Sequence, residues 1–423
     1  MAKIKGFAEW LPEYQVIQDR IISTVRETFS LHGFSPLLTR SIEPLEELLD
    51  QGETDKEIFA VSRLGSVDEP TLGLHYDLTV PFARYVSENA GQLTFPYRRY
   101  QIQPAWRGER PQLGRFREFI QADADIVDTG SLDIRHDADL LALFSDTLGA
   151  LPIPEVKFVI NNRKLLQGFY AGLGLEDVVG VLRAVDKLPK VGADKTKETL
   201  LAEGLTEAQI EAILGLTQVR AATSADLAVV KDFGVSGELF DEGVSELSFV
   251  LDKANENSKK PSVDAALYIA RGFNYYTGTV AESELVGFDD VGSICSGGRY
   301  DNLVSVGKQS VQGVGFSIGI SRLISYGIKF GFLESQDAGT AEVVVAVNSE
   351  ETRSASNKVA GQLRDRGISC LVSDTDQPYG KQIKQAERLS VKYVAFVSES
   401  GAVEMRDLDD RTQVEIDLTE WTP

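Results

Sequence analysis

The chain has 423 residues and carries 43 Lys and Arg against 64 Asp and Glu, a formal net charge of −21. At roughly 100–200 residues per domain that length implies two to four domains with ample core, and a hydrophobic fraction of 43% is that of a globular chain. So acidic a chain is not one that coats nucleic acid indiscriminately, although a local basic site on an acidic body stays open.

No apolar run approaches the roughly 18–20 residues of a membrane span. Lys3 and Lys5 are followed by Glu9 and Glu13 without an apolar stretch, so no secretory signal is read. Cys295 and Cys370 are the two cysteines, which fits a reducing, cytoplasmic setting. His32, His75 and His136 are scattered, and neither a zinc spacing nor a histidine-based triad is legible.

In chain order, Val16, Ile17, Ile21, Val25 and Phe29 predict a helix over 15–31, stopped by Gly33. Phe34–Arg40 reads as extended. Phe95–Gln103 and Phe116–Val127 read as two strands around an Arg/Gly/Pro-rich loop, Asp137–Leu148 as a helix, and 156–160 as a strand. From 164 to 255 the texture turns to Leu, Ala and Glu, a helical insertion, with Thr206 a candidate N-cap. Aromatic, strand-like sequence resumes from Ala265 to Phe332, and Ser335–Thr340 reads as a linker. The block 341–423 alternates strand (342–347), helix (350–366), strand (Ser369–Val372), helix (380–390) and strand (Tyr393–Val397). That alternation predicts a small α/β domain with a largely parallel sheet.

The densest chemical signal is 97–121, YRRYQIQPAWRGERPQLGRFREFIQ. Arg98, Arg99, Arg107, Arg110, Arg115 and Arg117 outweigh two glutamates, a local +4 in an acidic chain. Guanidinium groups grip phosphate oxygens in pairs, and a tight turn at Pro111–Gly114 would aim arginines from both flanks at one ligand. A solvated basic hairpin paired with the acidic surface is the alternative. Three further stretches are RGFNYYTGTV (271–280), GSICSGGRYDNL (292–303) and GVGFSIGISRL (313–323). Alternation puts Arg271, Phe273 and Tyr275 on one strand face and Asn274 and Tyr276 on the other. The glycine series allows close backbone approach, and it has neither the spacing nor the Lys of a nucleotide-binding P-loop.

Taken in this order, the four stretches resemble a class II aminoacyl-tRNA synthetase, and within that class the histidyl-tRNA synthetase family. AWRGERPQLGRFREFIQ resembles class motif 2 and GFSIGISRL class motif 3. RGFNYYTG and GSICSGGRYDNL resemble the two histidine-specific motifs, and HYDLTVPFARYV (75–86) the amino-acid-binding loop. The resemblance implies an α+β catalytic core with an antiparallel sheet, a helical insertion and a C-terminal α/β anticodon-binding domain. The expected boundaries are 1–163 and 256–335 for the core, 164–255 for the insertion and 341–423 for the anticodon domain.

The same resemblance implies activation of L-histidine by ATP, with Mg²⁺, and transfer to tRNA(His) by a cytoplasmic homodimer. Arg107 and Arg271 would be catalytic at the α-phosphate. Glu109 and Phe119 would take adenine, and Arg115 and Arg322 the outer phosphates. Asp77, Thr79 and Gln121 would hold the α-ammonium. Asp125 and Tyr276 would read the imidazole, with Arg271, Tyr275 and Tyr300 around the histidine. Lys381, Lys384, Arg388 and Lys392, spaced three, four and four apart, would form one basic helical stripe for tRNA, although 341–423 holds ten basic against fifteen acidic residues. No residue is assigned as a metal ligand. Arg40, Asn274, Ala281 and Ser321 depart from the family pattern. The alternative is a catalytically inactive paralogue regulating ATP phosphoribosyltransferase in histidine biosynthesis; such proteins typically lose the C-terminal domain and part of the arginine set. A synthetase for another amino acid and a plain RNA-binding module fit the motifs less well.

Overall fold

A computed structural model of the chain describes residues 4–49, 55–176, 178–260, 262–270, 276–288, 291–306, 309–334 and 341–423, with backbone alone for 302–306 and 309. The expected linker Ser335–Thr340 lies outside the described residues. Two compact units result: Met1–Glu9 with Gln18–Glu334, and Trp10–Ile17 with Ser335–Pro423.

The larger unit is built on a nine-stranded sheet. Its order is Ser35–Pro36, Tyr97–Trp106, Glu118–Asp128, Gln309–Gly319, Cys295–Val306, Tyr276–Leu285, Val156–Asn162, Val263–Ala266 and Arg220–Ala221. The six long strands from Tyr97–Trp106 to Val156–Asn162 are antiparallel throughout. Parallel pairing occurs near the edges, where Ser35–Pro36 joins Tyr97–Trp106 and Val263–Ala266 joins Val156–Asn162.

The first helix runs Pro12–Leu31. Its four-residue repeat of Ile17, Ile21, Val25 and Phe29 puts one apolar stripe inside, and all four are buried, while Val16 turns outward. Burial of each such side chain stabilises by roughly 1.5–3 kcal/mol. The Phe29 ring lies 5.2 Å from Phe144 on helix Arg135–Gly149, and Phe144 lies 5.6 Å from Phe316 in the sheet. That aromatic row fixes one sheet face as the core and leaves the other for the site. Gly33 sits at φ +81°, a left-handed turn that releases the chain from the helix.

Residues 164–255 are mostly helical, and the Thr206 N-cap closes a capping box with Gln209. Helix Glu238–Asn257 packs on helix Arg163–Gly172 through glycines on both sides. A methyl on Gly168 would collide with the Phe240 backbone, and one on Gly243 with that of Leu165. Within the same stretch, Arg220–Ala221 adds the last strand to the main sheet.

In the smaller unit, Cys370–Val372, Val343–Val345 and Tyr393–Val397 are parallel, as expected. Val403–Asp407 and Gln413–Ile416 then continue the sheet antiparallel, so it is mixed rather than largely parallel. The short polar turn after Val397 permits only a hairpin return. Val343 and Val345 pack with helix Arg353–Asp365, and Val344 and Ala346 with helix Tyr379–Arg388. Helices on both faces explain why 343–347 is uniformly apolar. Helix Tyr379–Arg388 carries Lys381, Lys384 and Arg388, all exposed. Lys392 is not on that stripe, contrary to its spacing. The helix stops at Arg388, Ser390 turns at φ +53°, and Lys392 lies beyond, its Nζ 5.0 Å from the Tyr393 ring.

Candidate active site

The open sheet face carries a pocket, and its floor follows from the two-residue period of a strand. On Glu118–Asp128, the side chains of Gln121, Asp123 and Asp125 share one face and line the pocket. Gln103, Gln101 and Arg99 stand opposite them on the neighbouring strand. Gly319, Ser317 and Gly315 stand opposite on the other side. A methyl on Gly315 would overlap the Asp125 carboxylate, and one on Gly313 the Tyr300 ring. The glycines of 313–319 therefore make room for buried polar groups under the pocket.

Arg99 is fully buried. Its Nη2 lies 2.8 Å from Asp125 Oδ2, and its guanidinium sits 4.3 Å over the Phe82 ring. Tyr300 donates to Asp125 Oδ1 at 2.7 Å, and Tyr276 pairs with Tyr300 across the strands. Burial raises the Asp125 carboxyl above its ordinary value, against the pull of Arg99 and the Tyr300 hydroxyl. Burial likewise raises Asp77, whose Oδ1 accepts the Val80 N–H at 3.0 Å. Asp123 rises to about 7, first through burial, with Asp125 and Asp77 adding repulsion and Arg99 opposing. One end of the pocket is thus a cluster of carboxylates with the buried Arg99 guanidinium beside it.

The other end is cationic. Arg107 follows the strand Tyr97–Trp106; its Nε donates to the Tyr76 carbonyl at 2.9 Å and its guanidinium lies 5.0 Å from the Phe119 ring centre. Arg115 leaves the turn at Gly114, which sits at φ +71°, and pairs with Glu109 at 3.2 Å. Arg322, in the first turn of helix Ile320–Phe330, donates to the Gly114 carbonyl at 2.9 Å and to the Ser293 carbonyl at 2.8 Å. Burial, with repulsion from Arg115 and Arg107, lowers its pKa. That repulsion places three guanidinium groups in one electrostatic neighbourhood.

Of the residues expected at the site, the pocket gathers Asp77, Thr79, Arg107, Glu109, Arg115, Phe119, Gln121, Asp125, Tyr276, Tyr300 and Arg322. Arg271 and Tyr275 lie outside the described residues, as does Asn274. Arginines from both flanks of the turn reach the pocket, while others are spent elsewhere. Arg107 and Arg115 line the pocket, Arg99 is committed to Asp125 beneath it, and Arg117 Nε braces the Glu109 carbonyl at 3.3 Å. Strand alternation and the turn direct these four side chains to different surroundings. Asp123 is the residue that sequence reasoning missed. The signal was present in QADAD, where it falls two residues from both Gln121 and Asp125. Two departures have local partners: Ser321 Oγ accepts the Ile120 N–H at 2.9 Å, and Arg40 pairs with Glu43 at 2.6 Å.

An antiparallel sheet carrying an arginine-and-carboxylate pocket, with a separate α/β unit, is the architecture of a class II aminoacyl-tRNA synthetase. The family model described as "Histidyl-tRNA synthetase" matches residues 6–323, and that described as "Anticodon binding domain" matches 342–422. The histidine–tRNA ligase of Micrococcus luteus is 44% identical over 100% of this chain and 96% of its own. The crystal structure of histidyl-tRNA synthetase from Nostoc sp. PCC 7120 aligns with a TM-score of 0.89 at 32% identity, covering 98% of this chain and 96% of that one. The chain belongs to the histidyl-tRNA synthetase family. A structure described as an ATP phosphoribosyltransferase regulatory subunit/histidyl-tRNA synthetase from Bacillus halodurans C aligns at TM-score 0.77. At 20% identity over 93% of this chain and 97% of that one, it shares the fold.

Proposed function

We propose that this pocket activates L-histidine with ATP to histidyl-adenylate and passes the histidyl group to the 3′ end of tRNA(His). The observation that carries this reading is the division of one pocket into a guanidinium end and a carboxylate end. A polyphosphate fits the first and an amino acid's ammonium the second. In the first step the histidine carboxylate forms a bond to the α-phosphorus and the bond to pyrophosphate breaks. Two anions must meet, so fixed cations lower the barrier more than a base would.

Arg107 stands where the two ends join, acting electrostatically on Asp77 at one and on Arg322 at the other. It is assigned to the α-phosphate, and Arg271 joins it there by family resemblance. Arg115 and Arg322 take the outer phosphates, Glu109 and Phe119 the adenine. Asp77, Thr79 and Gln121 hold the α-ammonium, and Asp125 with Tyr276 the imidazole, beside Tyr275 and Tyr300. Among the described residues no group of three or more His, Cys, Asp and Glu could hold a metal ion. Mg²⁺ enters with ATP as part of the substrate, and the phosphates supply its ligands.

In the second step a terminal ribose hydroxyl of tRNA attacks the carbonyl and AMP leaves. Residues 1–163 and 256–335 form the catalytic core, 164–255 the insertion and 341–423 the anticodon domain, where Lys381, Lys384 and Arg388 meet the RNA backbone. No described helix is long and apolar enough to cross a membrane. The protein acts as a cytoplasmic homodimer.

Pyrophosphate exchange measured across all amino acids tests the reading. Exchange with histidine is expected. Exchange with another amino acid instead overturns the substrate, and histidine binding without any exchange would favour the inactive regulatory paralogue.

A further inference from the structure

We infer that Asp123 is a further acceptor for the substrate's ammonium group, beside Asp77, Thr79 and Gln121. The inference rests on the reading of this pocket as a histidine site and adds a residue to it. It comes from counting the buried polar atoms left unpaired. Asp77, Gln121 and Asp123 line the pocket, and Asp77 Oδ2, Gln121 Oε1 and Asp123 Oδ1 are buried without a hydrogen-bond partner among the described residues. All three are acceptors, and a primary ammonium offers three N–H donors and no acceptor. Each orphaned buried acceptor costs stability unless a ligand supplies the missing hydrogen.

The described neighbours of Asp123 leave its Oδ1 without a partner. Gln101, opposite it on the next strand, donates its amide hydrogens to Thr39 Oγ1 at 2.9 Å and Gln103 Oε1 at 2.8 Å, and accepts from Arg99. Ser317, opposite on the other side, accepts from Gln121 at 2.7 Å and hydrogen-bonds the Asp123 carboxyl, leaving Oδ1 open. Asp125 differs, since its two oxygens already face Tyr300 and Arg99. Asp123 is 3% exposed. A carboxylate so buried, sharing the Arg99 guanidinium with Asp125, is stabilised in its charged form by an incoming cation.

The charged and titratable groups around it are Asp125 on its own strand, Arg99 on the next, Asp77 in the loop and Cys295 on Cys295–Val306. Burial and the neighbouring acids raise the carboxyl to about 7. An ammonium pulls it to the ionised state and a proton leaves on binding.

Equilibrium binding of histidine and of 3-(imidazol-4-yl)propanoate, which keeps the imidazole and carboxylate but lacks the ammonium, tests this directly. Asp123→Asn should weaken histidine roughly 10- to 100-fold, the scale of a hydrogen bond between charged groups, and change the desamino analogue less than about twofold. The wild-type preference for histidine over the analogue should grow from pH 6 to pH 8, and the Asn variant should flatten that growth. Asp123→Ser repeats the experiment with a smaller side chain, and retained binding of the analogue shows that either variant is folded. Equal loss for both ligands, or no loss for histidine, overturns the assignment of Asp123. Wild-type protein that binds no histidine overturns the reading of the pocket itself.

Discussion

The two ends of the pocket solve opposite problems with different amounts of buried machinery. At the cationic end, Arg107, Arg115 and Arg322 are tethered to backbone carbonyls or to a partly exposed glutamate, which a ligand can displace. At the acidic end, Asp125, Asp123 and Gln121 stand in register between a ladder of Arg99, Gln101 and Gln103 and a strand stripped to glycine and serine. The cationic end is a set of separate contacts. The acidic end is one connected network, in which moving any member disturbs the others. Charge recognition tolerates looseness, whereas reading a small side chain requires fixed hydrogen bonds.

That contrast can be broken most sharply at Arg107. Arg107→Ala should reduce histidine-dependent pyrophosphate exchange by roughly 10²–10³-fold or more while sparing histidine binding. Loss of both together would show that the ends are not separable. At the acidic end, Asp125→Ala strands the buried Arg99 and should cost about 3–5 kcal/mol of stability, read by denaturant unfolding. Arg115→Ala, its counterpart at the partly exposed pair with Glu109, should leave unfolding almost unchanged. Gly315→Ala drives a methyl into Asp125. It should cost about 1–3 kcal/mol and abolish histidine binding, with ATP affinity reduced less.

Proton linkage gives an effect read as a pH slope. The folded value of Asp123 is raised to about 7, so the native state holds that proton more tightly than the unfolded chain. Its contribution to stability is complete below an unfolded value of about 4 and is lost as pH rises to about 7. Asp123→Asn should remove that decline from the unfolding midpoint of the ligand-free protein between pH 5 and 8; unchanged slopes would place the titration elsewhere. The smallest effect is expected outside the pocket. Replacing Lys381, Lys384 and Arg388 by Ala should weaken tRNA charging, lower its salt dependence and leave pyrophosphate exchange intact.

The strongest sequence signals were those with a period. Ile17, Ile21, Val25 and Phe29 mark the first helix to within a few residues, and TEAQ marks a capping box. The order of RGERPQLGRF, RYDNL and GFSIGISRL carried the family. Period alone was less safe at Lys392, where the spacing continued after the helix had stopped. At Asp123 the period is enough, since QADAD places three polar side chains on one face.

The −21 charge was the first thing legible in the chain, and it spoke only of an acidic body. By itself the sequence determined the elements, the family motifs and a surplus of arginine between residues 97 and 118. Tertiary structure decided which of those arginines line the pocket and which is sealed beside Asp125. It also decided that acids far apart in the chain, Asp77 and Asp123, share one pocket. Local pattern is written in neighbouring residues, whereas burial, register and the pairing of charges depend on strands more than a hundred residues apart.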